Sequence, residues 1–115
     1  MKEVLLVFLG GGLGSSFRWL INKFIPSDTF PYSTVSVNLI GCLLIGILAG
    51  YLLTHSHLKS DIYYLLVIGF CGGLTTFSAF ALDNYNLIKS NDFVNTILYI
   101  TLSVAGCIIM VYTGF

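Results

Sequence analysis

Charge is what this sequence has least of. Lys and Arg together number five, Asp and Glu five, and charged residues make up 9% of the 115. A soluble globular domain carries about 25%. A soluble protein of this length would have to cover its surface with polar groups, and too few are present. Hydrophobic residues make up 57% and the mean hydropathy is +0.93. The apolar excess must therefore form the outer surface, and the solvent facing it is lipid. The chain reads as one domain embedded in a lipid bilayer.

Other absences narrow the function. Net charge is zero, with no basic patch for nucleic acid and no acidic tail. The three cysteines, Cys42, Cys71 and Cys107, are odd in number, lack the CxxC spacing of a metal site and lie inside apolar stretches. They read as small packing residues. His55 and His57 occupy a polar connector without a nucleophile or acid partner, so the chain does not read as an enzyme. The run Gly10-Gly11-Gly12-Leu13-Gly14 lacks the preceding strand and following Lys-Ser/Thr of a phosphate-binding loop. The N-terminal apolar run has no A-x-A cleavage site and three more spans follow it, so it reads as a retained first helix.

Four apolar blocks are present, at about 4–24, 32–53, 62–82 and 93–114, each near the ~20 residues that a helix needs to cross ~30 Å of hydrocarbon. Helices are the natural choice, because each satisfies its own backbone hydrogen bonds in lipid. A membrane β-barrel would show alternating segments of about 10 residues instead. The connectors hold most charges and both prolines, Pro26 and Pro31. Lys2 and Lys59 flank the helices on one side, Lys23 and Lys89 on the other, with Arg18 inside a span. Positive charge sets orientation, and here it is nearly balanced. Two readings fit: insertion both ways up with antiparallel pairing, or a fixed orientation set by a subtler signal. Gly10/Gly14, Gly46/Gly50 and Gly69/Gly73 have the GxxxG spacing that lets membrane helices approach closely.

Polar residues inside spans are costly and mark a pathway or a packing contact. Arg18 either snorkels to the headgroups or attracts anions at a pore mouth. Asn38 either glues helices together or donates to a dehydrated anion. In the third span, Gly69-Phe70-Cys71-Gly72-Gly73-Leu74-Thr75-Thr76-Phe77-Ser78-Ala79-Phe80 sets two glycines and two threonines at membrane depth. Paired Gly weakens a helix and Thr can bond backbone instead, which predicts a break near the middle of the third helix. Carbonyls freed there must point inward, to water or to a bound cation. Phe77 and Phe80 share a helix face and contact lipid or core, or offer their electropositive ring edges to an anion path. Thr96, Tyr99, Ser103 and Cys107 form a stripe on the last helix that faces other helices or forms a polar track.

With these residues in place, the sequence resembles the Fluc (CrcB-type) fluoride channels along essentially its whole length. The resemblance is carried by Gly10 to Arg18, by Val37-Asn38-Leu39-Ile40-Gly41, by the string from Gly69 to Phe80 with Asp83 after it, and by Tyr99 with Ser103. It implies an all-α membrane protein of four transmembrane helices per subunit, in an antiparallel, dual-topology homodimer with two pores. A heterodimer with a paralogous chain is the other assembly known in the family. It implies a passive, highly selective fluoride channel in the inner (plasma) membrane that keeps cytoplasmic fluoride low. Asn38, Phe77, Phe80, Thr76, Ser78, Tyr99 and Ser103 would line the pathway and Arg18 would be the vestibule cation. A structural Na+ at the dimer centre would be held by the backbone carbonyls of Gly72 and Thr75 from both subunits. The sequence departs from the family pattern at Ala81, Asp83 and Cys107, where Ser or Thr, Glu and a hydroxyl are common. A drug/proton antiporter, which needs a carboxylate deep in the membrane, and a non-conducting structural subunit are the alternative readings.

Overall fold

The computed structural model describes residues 1–26, 28–55 and 59–115. His57, read above as a loop residue, lies outside the described residues. The elements are α1 (Lys2–Phe24), α2 (Tyr32–Thr54), α3 (Lys59–Ile62), a π-helical segment (Tyr63–Cys71), α4 (Gly72–Leu74), α5 (Phe77–Lys89) and α6 (Phe93–Gly114). Four stretches among the described residues are long and apolar enough to cross a membrane: α1, α2, Tyr63–Lys89 and α6. The longest dimension, 51 Å, exceeds the roughly 40–45 Å of a bilayer with its headgroups.

The molecule is inside out relative to a soluble protein. Phe8, Leu13, Trp19, Ile97, Ile108 and Tyr112 are exposed, whereas Ser33, Thr34, Asn38, Asn84, Thr96 and Ser103 are buried. In water such a surface would aggregate; in lipid it is the favourable arrangement, with polar groups turned toward one another. The chain is a multi-pass membrane protein.

Two tight helix pairs form the frame, and glycine explains both. A Cβ added to Gly10 or Gly14 would collide with the backbone of Leu65 or Phe70, so α1 packs directly on the π-helical segment and α4. Likewise a Cβ on Gly46 would collide with the Val111 carbonyl, which sets α2 against α6. In each pair the helices run in the same direction. In lipid, where apolar contact alone gives no driving force, such backbone-to-backbone packing is what holds helices together.

The connector between α5 and α6 is short and capped. Ser90 ends α5, Asn91 takes the left-handed conformation (φ 60°), and Asp92 N–H reaches back to the Leu87 carbonyl. This is the hydrogen-bond pattern of a helix C-cap, with Asn in the position that tolerates positive φ. Asp92 then caps α6, accepting from Asn95 N–H at 3.2 Å. Lys2 pairs with Asp61 at 2.8 Å, so the N-terminus and the second connector lie at the same end of the bundle. At the other end, Asp28 to Pro31 and Asp83 to Asp92 share the wall of one cavity, which brings the first and third connectors together.

Candidate functional site

Helical geometry is interrupted between α4 and α5. Thr75 (φ −82°, ψ 155°) and Thr76 (φ −150°, ψ 124°) are extended. Local sequence accounts for this. Gly72 and Gly73 have little helix propensity and Thr is β-branched. Each threonine then spends its hydroxyl on a helix end. Thr75 Oγ1 donates to the Cys71 carbonyl at 2.9 Å, closing α4, and Thr76 Oγ1 accepts from Ala79 N–H at 3.2 Å, capping α5.

Asn38 reaches into this interruption from α2. Its Nδ2 donates to the Thr76 carbonyl at 3.1 Å and its Oδ1 accepts from Thr76 N–H at 2.8 Å. The side chain thus replaces, for one residue, the helix partners that the extended backbone has lost. It is only 8% exposed, so each of these bonds matters: an unpaired buried polar group costs about 1–3 kcal/mol. One hydrogen on Nδ2 remains after these two bonds.

Among the carbonyls that the interruption deprives of their ordinary partners are those of Gly72 and Thr75. In a continuous helix the Gly72 carbonyl would accept from Thr76 N–H and the Thr75 carbonyl from Ala79 N–H. Those amides are given instead to Asn38 Oδ1 and Thr76 Oγ1. Gly72 is exposed, with open space where a Cβ would stand. The neighbouring Gly73 carbonyl faces inward, toward α1, where Ser15 Oγ lies at 3.4 Å.

A groove of about 360 Å³ runs beside the interruption, lined by Asn38, Cys42 and Ile45 of α2, by Thr75, Thr76, Phe77 and Phe80, and by Ser103, Val104, Cys107 and Ile108 of α6. It brings together Asn38, Thr76, Phe77, Phe80 and Ser103 from the set expected on sequence. Tyr99 and Ser78 stand beside it. Tyr99 is 0% exposed and packs its ring 5.1 Å from Phe80, with its hydroxyl donating to Asp83 Oδ2 at 2.9 Å. Ser78 is exposed, its hydroxyl 3.2 Å from that of Thr76. Phe77 and Phe80 lie 5.4 Å apart, tilted by 42°, and Phe77 is 78% exposed. Arg18 is half-buried on α1, outside the groove lining, with its Nε buried and unpartnered.

Thr96, Tyr99 and Ser103 are the buried residues of α6, so the hydroxyl stripe faces the protein. Thr96 and Tyr99 spend their hydroxyls, on the Asp92 carbonyl and on Asp83. Ser103 does not: its Oγ is buried without a hydrogen-bond partner, beside the groove. Sequence reasoning missed two features here. One is the Tyr99–Asp83 bond, since α5 continues to Lys89 and carries Asp83 within its length. The other is Cys42 in the groove wall; its position one turn after Asn38, on the same face of α2, was the available signal.

Fold and site together define a small four-span membrane protein with its polar side chains gathered inward around an interrupted helix. Within that class, the model of the family described as CrcB-like protein, Camphor Resistance (CrcB), matches residues 5–115, and the chain belongs to this family. It is similar to a protein of Flavobacterium psychrophilum named fluoride-specific ion channel FluC, 44% identical over 118 residues that cover 99% of this chain and 94% of the relative. A protein of the same name from Azobacteroides pseudotrichonymphae is 39% identical over 111 residues, covering 93% of this chain and 89% of the relative. One from Methanococcus aeolicus is 37% identical over 115 residues, covering 99% and 93%.

Proposed function

We propose that this chain is the subunit of a passive, fluoride-selective channel in the inner (plasma) membrane, lowering cytoplasmic fluoride. The observation that carries the reading is the groove, in which a spare amide hydrogen, an unpartnered hydroxyl and two aromatic rings face one space. Relatives named as fluoride channels, matched over nearly the whole chain, support the choice of ion. They do not favour a drug/proton antiporter or a non-conducting subunit.

Fluoride is small and holds its water tightly, so a pore must offer several donors at once, each weak enough to release the ion. Asn38 supplies its remaining Nδ2 hydrogen while its other two contacts hold it rigid. Ser103 supplies an O–H that has no competing partner. The ring edges of Phe77 and Phe80 carry partial positive charge, so they attract an anion without trapping it as a fixed cation would. Tyr99 and Asp83 buttress Phe80 from behind. Arg18, with an unpaired Nε, raises the local anion concentration at the entrance.

Two copies in antiparallel array complete the channel, with two pores. The 78% exposure of Phe77 supports this, because a pore-lining ring needs a second wall that one chain lacks. The Gly72 and Thr75 carbonyls, whose usual amides serve side chains, suit a structural Na+ shared by both subunits. Oxygen-only donors are what a hard cation takes. A cation held by these carbonyls would supply positive charge, offsetting the cost of an anion nearby in low dielectric.

The test is halide efflux from liposomes containing the purified chain alone, under a potassium gradient with valinomycin. Rapid release of fluoride but not chloride is expected. Equal release of both, or none of fluoride from folded protein, would overturn the reading.

A further inference from the structure

Beside the groove, α2 and α6 approach so closely that a Cβ built on Gly106 would lie 2.9 Å from Leu39 Cδ2. The next residue along α6 is Cys107, and one turn further along α2 is Cys42. Both line the same groove, one from each helix of this closely packed pair, and both are free thiols. They stand one turn beyond Ser103 and Asn38 on the same helix faces. The third thiol, Cys71, is fully buried.

The anion relay makes no use of a facing thiol pair, since S–H is a weak donor. Two sulfurs held together are instead a ligand set for soft metal ions. Among the described residues no group of three or more His, Cys, Asp or Glu is arranged to hold a metal. Four-coordinate zinc and the oxygen-seeking Ca²⁺ and Mg²⁺ are therefore unsuited. Ions content with two ligands in line, Cu⁺, Ag⁺ and Hg²⁺, remain.

We infer that Cys42 and Cys107 form a two-thiolate site for a soft, two-coordinate cation in the wall of the groove, and that an ion held there stops anion passage. The first half stands on the shared groove wall and the close approach of α2 and α6; the second rests on the pathway proposed above. On binding Ag⁺, each thiol loses its proton to water and two S–Ag bonds form, with no electron transferred. The resulting bis-thiolate carries one negative charge in a region of low dielectric, where it repels an anion, and the metal fills space between α2 and α6.

The test uses the full chain, in detergent and in liposomes, with silver nitrate in chloride-free buffer. Silver retained through gel filtration and protons released are measured beside fluoride efflux. About one Ag⁺ and about two protons per chain are expected. Efflux should fall roughly tenfold or more and recover with excess dithiothreitol. Cys42→Ser and Cys107→Ser should each lose the retained silver and the block, while Cys71→Ser keeps both. Either of the first two variants decides the matter if the other fails to fold. No retained silver in the unmodified chain, or silver retained undiminished by either variant, overturns the site. Silver retained at one per chain with efflux unchanged upholds the site and overturns the block. A chain that conducts no fluoride before silver is added overturns the channel reading, and the silver and proton titration then decides the thiol site alone.

Discussion

At the scale of single residues, Asn38 has two tasks that substitutions can separate. Asn38→Asp keeps an acceptor for Thr76 N–H but sets a carboxylate against the Thr76 carbonyl, which Nδ2 now serves at 3.1 Å. It also places a fixed negative charge in the groove. Fluoride efflux should stop, and thermal melting in detergent should show a loss of about 1–3 kcal/mol from the unpaired carbonyl. Conduction by a well-folded Asn38→Asp protein would remove Asn38 from the pathway. The two phenylalanines should differ from each other. Phe77 is mostly exposed in the single chain, whereas Phe80 is packed on Tyr99. Phe77→Ile and Phe80→Ile should both cut efflux, by roughly tenfold or more if one ring-edge contact of about 1.4 kcal/mol is lost. Only Phe80→Ile should lower the melting temperature measurably. Wild-type efflux in both variants would end the aromatic account.

Among elements, the decisive contacts are backbone against backbone. A side chain at Gly10 would meet the Leu65 carbonyl and one at Gly46 the Val111 carbonyl, whereas nothing stands near Gly12. Gly10→Val and Gly46→Val should each destabilise by about 1–3 kcal/mol or prevent assembly of the bundle. Gly12→Ala, on the same helix as Gly10, should be neutral or slightly stabilising, since Ala is the better helix former. Unfolding in detergent monitored by circular dichroism distinguishes the three. Equal sensitivity at Gly10 and Gly12 would mean that general helix propensity, and not the α1 contact, matters there. The α4–α5 interruption follows the same logic. Its two hydroxyls cap opposite helix ends, and Thr76→Ala should cost about 1 kcal/mol by uncapping α5.

For the molecule as a whole, the proposed pairing makes one chain half of the channel. A second copy in antiparallel array would close it over Phe77 and bring two sets of Gly72 and Thr75 carbonyls together. Two chains per particle are therefore expected from light scattering in detergent. Removal of Na⁺, with a large organic cation in its place, should lower the melting temperature while leaving the helical content unchanged. A particle of one chain that still conducts would overturn the paired arrangement.

How much of this was legible beforehand follows from what each feature depends on. Membrane residence and four apolar spans were determined by composition and run length, because lipid leaves a chain of this charge content no other surface. The Gly72-Gly73-Leu74-Thr75-Thr76 interruption was legible too, since propensity and capping act within a few residues. So was the inward face of Thr96, Tyr99 and Ser103, which needs only helical periodicity. Whether Asn38 was glue or donor could not be read from α2 alone. Its two bonds to Thr76 join residues 38 positions apart, and the choice between partners is made by packing. The Tyr99–Asp83 bond and the Cys42–Cys107 pair are of the same kind. Each brings together side chains of different helices, and helix packing decides which of them meet.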